Sequence, residues 1–248
     1  MKKNIYFASD FHLGSPNHAE SRKREDRVLR WLSSIESTCN ELFLMGDIFD
    51  FWFEYHTVVP KGFVRLQGKL AAMTDAGIKV YFFKGNHDMW VNTYFKEEMG
   101  IEIVSDELVI ERDGKRFFLH HGDGLGPGDK NYKMLRKIFR NPVCQWLFGL
   151  IPPRIGLGIA NWWSGNSRLA NHDEEVFLGV EQEWLAIYAK ELLLKEHYDY
   201  FVFGHRHLPL DIMLNDRSRY VNLGEWINFN SYAVFDGNEL SLKYFEKI

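Results

Sequence analysis

Cysteine is nearly missing from this chain: Cys39 and Cys144 are the only two among 248 residues, far apart and in no metal-type spacing. That excludes a disulfide framework and a thiolate metal site, and it makes a reducing cytosol the expected compartment. Long apolar runs are scarce too. The opening MKKNIYFASD reaches Asp10 after too short an apolar stretch for a signal peptide. One segment, VCQWLFGLIPPRIGLGIANWW at 143–163, approaches a membrane span in length, but Pro152-Pro153 and three glycines break it as a helix. Nor is there an excess of basic charge. A net charge of −4, from 30 Lys and Arg against 34 Asp and Glu, argues against bulk nucleic-acid binding. No internal repeat and no low-complexity segment is present.

What remains is ordinary globular composition, 46% hydrophobic and 26% charged, with an unusual aromatic content of 16%. Short apolar runs recur and end alike. IYFAS leads into Asp10, ELFLM into Gly46-Asp47, VYFFK into Gly85-Asn86, RFFLH into His121-Gly122-Asp123, and YFVF into Gly204-His205. Continuous apolar runs bounded by glycine read as strands buried on both faces. Helical patterns lie between them, at about 20–37, 61–76 and 174–196. Late in the chain LDIML, RYVNL, SYAVF and LSLKYF read as closely spaced strands with turns at Asn215-Asp216 and Asp236-Gly237-Asn238. The expected fold is therefore α+β, a layered sheet arrangement covered by helices, in one domain over 1–248.

The chemistry collects after the strands: Asp10-x-His12, Gly46-Asp47-x-x-Asp50, Gly85-Asn86-His87-Asp88, His121-Gly122-Asp123 and Gly204-His205-x-His207. In open α/β sheets ligands bind beyond the carboxyl ends of strands, so five strand ends would deliver these side chains to one rim. Asn86, His87 and Asp88 buried without partners would cost several kcal/mol, and divalent cations at that rim would remove the cost. Each motif alone has a plainer explanation as turn chemistry; five in order, each after an apolar strand, do not. Mixed Asp, His and Asn donors without thiolate suit Mn, Fe or Zn. There are enough donors for two ions, with a carboxylate such as Asp47 able to bridge a pair about 3.5–4 Å apart. Two cations sharing a water would lower its pKa and clamp a phosphoryl group.

This series of motifs, spanning residues 10 to 207, resembles the signature of the calcineurin-like metallophosphoesterases. The resemblance implies a four-layer α/β-β/α sandwich of two mixed sheets flanked by helices, and two divalent ions. Asp10, His12, Asp47 and His207 would hold one ion; Asp47, Asn86, His121 and His205 would hold the other. It also implies His87 as the non-ligand histidine that protonates the leaving oxygen or stabilises phosphoryl charge, oriented by Asp50. His120 has no counterpart in the motif and is expected to point away, packed or solvated. A scaffold that keeps the fold without the chemistry would lack the histidine or several ligands, and this chain has them all.

Substrate choice must come from elsewhere. The segment 130–140 carries Lys130, Lys133, Arg136, Lys137 and Arg140 with no acidic residue, and the broken apolar stretch follows it. A basic helix beside an apolar hairpin reads as an interfacial element or acyl pocket, or as a helical pair packed on its own core. HGDGLGPGDKNYKMLR, the apolar hairpin, NSRLAN at 166–171 and NLGEW at 222–226 are similar to the branch of the family that hydrolyses UDP-2,3-diacylglucosamine at the α-phosphate in lipid A biosynthesis, with Mn as the usual metal. That likeness implies a helical lid at about 128–172. Asn166, Ser167, Arg168 and Asn171, with Asp123, Tyr132 and Arg136, would contact substrate. It implies a lipid-linked nucleotide diphosphate as partner, peripheral contact with the inner membrane face from the cytoplasm, and no nucleic acid or obligate protein partner. His87 stands where well-known members of that branch carry Arg, so another nucleotide diphosphate or phosphoester stays open as the alternative.

Overall fold

Apolar side chains cover both faces of the central strands, and this decides the architecture. The computed structural model describes residues 4–126, 130–159 and 176–246, with the side chains of 130–132 left aside. In β1 (Asn4–Ala8), Ile5 and Phe7 are buried on one face, Tyr6 and Ala8 on the other. In β2 (Cys39–Leu44), Phe43 is opposed to Leu42 and Leu44; in β3 (Lys79–Phe83), Phe83 is opposed to Val80 and Phe82. Such strands need cover on both sides. With β4 (Glu102–Val104), β10 (Ser231–Phe235) and β11 (Leu240–Tyr244) they form a six-stranded mixed sheet in the order β11-β10-β1-β2-β3-β4. β1 to β4 run parallel, while β10 pairs antiparallel with β1.

The second sheet has the order β5-β6-β7-β9-β8, from β5 (Leu108–Arg112), β6 (Lys115–His120), β7 (Tyr200–Phe203), β8 (Pro209–Met213) and β9 (Arg219–Leu223). Here β6, β7 and β9 are parallel and the edge strands antiparallel. Ile5, Phe7, Phe43 and Phe83 of the first sheet meet Phe117, Leu119, Val202 and Val221 of the second in one apolar layer. Phe7 stacks on Phe117 across it at 6.0 Å. Behind the first sheet lie α1 (His18–Ile35), α2 (Val64–Asp75) and α3 (Tyr94–Met99). Asn17 starts α1 as an N-cap, accepting from the Glu20 amide at 3.0 Å. The four-layer α+β sandwich expected from the sequence is the fold observed.

Between β6 and β7 the chain builds α4 (Lys130–Phe139), α5 (Pro142–Gly149) and α6 (helical over 153–159), then α7 (Trp184–Leu193), which covers the second sheet. The apolar stretch is thus broken at Pro152-Pro153 as its sequence requires, and among the described residues no helix is long and apolar enough to cross a membrane. One expectation is corrected. Of the helical pattern at 174–196, the described residues form a helix only over Trp184–Leu193; residues 176–183 are irregular, turning at Gly179 (φ 103°), whose carbonyl accepts from the amides of Gln182 and Glu183. Glu183 is drawn inward to a buried arginine instead of continuing a helical face.

α4 and α5 dock through Phe139 and Phe148 onto Phe51, Phe53, Met89 and Trp90, and the Trp90 indole N–H donates to the Phe139 carbonyl at 2.7 Å. Their other faces leave Met134, Ile138, Val143, Trp146, Leu147 and Leu150 exposed.

Candidate active site

Parallel alignment of β1, β2 and β3 in one sheet and of β6 and β7 in the other brings five loops to the same end of the sandwich. These loops hold one another by their backbones. The Asp10 amide donates to the Gly46 carbonyl at 3.0 Å, the His12 amide to the Asp47 carbonyl at 2.9 Å, and the Gly204 amide to the His121 carbonyl at 2.8 Å. Side chains add to this: Asp10 Oδ2 accepts from the His205 amide at 3.0 Å and Asp47 Oδ1 from the His87 amide at 2.8 Å. The approach is close enough that a Cβ at Gly85 would run into the Asp47 carboxylate, and one at Gly204 into Ser9 and Asp10.

Five of the seven candidate ligands have left-handed backbone: Asp10 (φ 56°), His12 (43°), Asp47 (52°), His205 (65°) and His207 (57°). Each such conformation costs an L-residue about 1–2 kcal/mol. Strain of this kind gathers where the surroundings impose a geometry for use.

The side chains converge accordingly. His12 Nε2 and His207 Nε2 face each other at 3.1 Å, with Asp10 Oδ1 3.6 and 3.3 Å from them and Asp47 Oδ2 3.8 Å from His12. On the other side of Asp47, His121 Nε2 lies 3.4 Å from Oδ2 and 3.1 Å from Asn86 Oδ1, and the His205 ring is 5.2 Å from that of His121. The donor atoms of Asp10, His12 and His207 fall within 4.8 Å of one another, as do those of Asp47, His121 and His205. Asp10 Oδ1 and His12 Nδ1 are buried with no hydrogen-bond partner. Donor atoms gathered this closely, with the orphaned Asp10 Oδ1 among them, and a mixed O/N donor set fit a pair of divalent cations with Asp47 between them. His121 Nδ1 donates to the Met45 carbonyl at 2.8 Å, which fixes Nε2 as the donor atom toward Asp47.

Charge follows geometry. Burial opposes ionisation of Asp47, yet the imidazoles of His121, His87 and His12 pull its pKa below the usual carboxylate range. Burial also opposes a charge on His121, but Asp47 overrides it and holds that imidazole up at about 10. His205 and His87 lack so close a carboxylate, and burial pushes both down to about 4.

His87 borders the cluster, its ring 4.9 Å from that of His12 and one ring nitrogen within 4.8 Å of donor atoms of His12 and Asp47. Its Nδ1 donates to the Asp50 main-chain carbonyl at 3.0 Å; the Asp50 carboxylate is 3.9 Å from that nitrogen and 3.7 Å from His12 Nδ1. Asp50 thus touches His87 through its backbone, and its carboxylate lies between the two imidazoles. His120 is buried, its Nδ1 accepting from the Gly122 amide at 2.8 Å, away from the donor cluster. Asp123 is buried against Arg136 of α4, 2.8 Å from Nε, and Arg136 also reaches Asp106 at 3.1 Å. Both are engaged with the protein itself. The side chain of Tyr132, and Asn166, Ser167, Arg168 and Asn171, lie outside the described residues.

Two groups to which the sequence reading gave no site role complete the frame. Asp88, fully buried, accepts from the amides of Gly85 (2.8 Å), Asp47 (3.2 Å), Ile48 (2.8 Å) and Phe49 (3.3 Å), so one carboxylate staples the β2 loop to the β3 loop. Its place as the last residue of Gly-Asn-His-Asp was the available signal. Glu225 caps the amides of Ile227, Asn228 and Phe229, and the neighbouring Trp226 amide donates to the Asp10 carbonyl at 3.1 Å. Nothing in the sequence marks Glu225 beyond its place in NLGEW.

The family model described as calcineurin-like phosphoesterase matches residues 3–209. This chain belongs to that family. By that membership the phosphoesterase is a metal-dependent phosphohydrolase, in keeping with its clustered Asp and His side chains. It is 39% identical to a protein of Porphyromonas gingivalis named UDP-2,3-diacylglucosamine hydrolase, over 99% of both chains. Proteins of the same name from Photorhabdus laumondii and Escherichia coli are 30% and 26% identical, over 89% and 96% of this phosphoesterase and 90% and 98% of theirs. Among solved structures, the phosphoesterase Yfce of E. coli aligns over 98% of this chain and 100% of its own, at 15% identity and a TM-score of 0.44.

Proposed function

We propose that this phosphoesterase hydrolyses UDP-2,3-diacylglucosamine at the α-phosphate, releasing UMP and 2,3-diacylglucosamine 1-phosphate, a step of lipid A biosynthesis. The observation that carries this reading is the end-to-end match to the Porphyromonas gingivalis hydrolase, at 39% identity over 99% of both chains. The surroundings of the rim support it. A groove of about 520 Å³ lined by Gly124, Lys133, Arg136, Lys137, Arg140 and Asn141 has a basic lining that suits a diphosphate, although Arg136 and Arg140 are also paired with Asp106 and Asp123. The exposed apolar faces of α4 and α5 beside it suit acyl chains and peripheral contact with the inner membrane surface. The region of about 128–172 would then act as the substrate-binding lid.

Asp10, His12, Asp47 and His207 would hold one divalent ion, and Asp47, Asn86, His121 and His205 a second, with Mn the expected metal. Bound there, the cations would supply Lewis-acid charge to the phosphoryl oxygens and lower the pKa of water. The protein's own part is positional and protonic. The strained loops hold the donors on two sides of Asp47, and burial excludes bulk water, which strengthens every interaction with the phosphoryl group. A phosphoryl anion arriving beside His87 raises the proton affinity of its imidazole. With Nδ1 committed to the Asp50 carbonyl, the proton passes to the leaving oxygen from Nε2.

The test is product formation by the purified protein with Mn²⁺ in ¹⁸O-labelled water. UMP carrying the label is expected from the diacylated substrate, with turnover on the unacylated UDP-sugar at least about tenfold lower, since burying even a few methylenes is worth more than 1.4 kcal/mol. Equal turnover of both would remove the lipid from the reading. Label in the sugar phosphate would move the attack to the other phosphorus.

A further inference from the structure

One buried guanidinium joins parts of the chain that have no sequence relation. Arg206 stands between His205 and His207, yet its side chain leaves the rim and runs into the body of the second sheet, 5% exposed. Nε lies 3.1 Å from Glu183 Oε2, Nη2 donates to the Val176 carbonyl at 2.8 Å, and the guanidinium covers the Trp184 ring at 4.9 Å. Glu183 is fixed in turn, its other oxygen accepting from the Tyr220 hydroxyl at 3.2 Å. The outgoing arm of the helical insertion meets the same place. A Cβ on Gly126 would stand 2.8 Å from the Trp184 carbonyl, and Lys133 of α4 donates to the Gly126 carbonyl at 2.6 Å. The chain that departs toward α4 at Gly126 therefore seats on Trp184, and the chain that returns at Val176 is held by Arg206, whose guanidinium covers the Trp184 ring one residue from either histidine.

We infer that Arg206 is a positioning residue that ties the His205-x-His207 loop to both arms of the helical insertion, so that loading the metal centre tightens the segment 176–184. Arginine suits the task because its planar fork binds a carboxylate and a carbonyl while its face stacks on an indole; the ammonium of lysine cannot do all three. A buried ion pair of this kind adds little net stability over an apolar pair, and fixing one geometry is its better-attested use. The metal half of this inference rests on the family alone; the substrate half rests on the reading above.

The test uses the full-length protein with Arg206→Met combined with Glu183→Gln, so that no carboxylate is stranded, and Arg206→Lys beside it in case the double variant does not fold. Three readouts are taken: Mn²⁺ affinity by calorimetry, Mn²⁺-induced hydrogen-exchange protection of amides 176–184, and kcat/KM for UDP-2,3-diacylglucosamine against bis(p-nitrophenyl) phosphate. Expected are a Mn²⁺ affinity weakened roughly 10–100-fold, loss of the induced protection, and a fall of the substrate ratio by about tenfold. A variant whose melting temperature drops while Mn²⁺ affinity, protection and ratio all match the wild type overturns the proposal and leaves Arg206 a packing residue. If the acylated compound is no substrate for the wild type either, that sinks the functional reading, and the calorimetric and exchange results still decide the role of Arg206.

Discussion

The rim and the helical insertion are built in opposite ways. At the rim five loops from two sheets bond to one another through backbone and carboxylates, and Asp10, His12, Asp47 and His121 are at most 1% exposed. Among the described residues of the insertion α5 has no buried residue, and α4 and α5 are held by a small aromatic cluster around Trp90 and by arginines paired with Asp106 and Asp123. The chemical centre is over-determined, whereas the surface beside it is lightly anchored. On the proposed reading, such a division would let substrate preference change by altering the insertion while the phosphoryl chemistry stays fixed.

The contrast can be broken first at Asp47. Asp47→Asn should remove about 5 kcal/mol of transition-state stabilisation, near 10⁴-fold in kcat, on acylated and small substrates alike; a loss confined to one substrate class would mean that the rim is not shared chemistry. His87→Ala should cost about 10²–10³-fold in kcat while metal content by elemental analysis stays at the wild-type value, since His87 belongs to neither proposed ligand set. Asp88→Asn, which removes part of the four-amide staple, should weaken Mn²⁺ binding roughly 10–100-fold and lower the melting temperature. Unchanged Mn²⁺ affinity there would show the loops to be rigid without it. Smallest is Trp146→Asp on α5, where the side chain is 64% exposed. It should lower kcat/KM for the diacylated substrate about tenfold and leave hydrolysis of bis(p-nitrophenyl) phosphate untouched. An equal fall in both would contradict the division between the two regions.

Most of this was readable in advance for a simple reason. Strands buried on both faces announce themselves as unbroken apolar runs, and each run that ends in glycine followed by Asp, Asn or His marks a loop of the rim. β2, β3 and β7 do so, while β1 passes through Ser9 into Asp10 and β6 into His121 ahead of Gly122; together the five loops carry the seven candidate donors. What the pattern hid were interactions made by backbone. His87 meets Asp50 through a carbonyl, and Asp88 serves amides, neither of which leaves a trace in residue types. The start of α7 was misplaced because Glu183 and Val176 answer to Arg206, a partner more than twenty positions away, and a helical period carries no record of that. Short elements such as α3 and β4 are below the length at which any period can be seen.

One distance at the rim has a temporal meaning. His12 and His207 come within 3.1 Å although 195 residues separate them in sequence, so the pair exists only after both sheets have formed and met. Contacts of such span are the slowest to close. Metal capture by the proposed ligand set would therefore come late in biogenesis: a ribosome-bound or truncated chain lacking β7 carries five of the seven candidate donors, without His205 and His207 to complete either set.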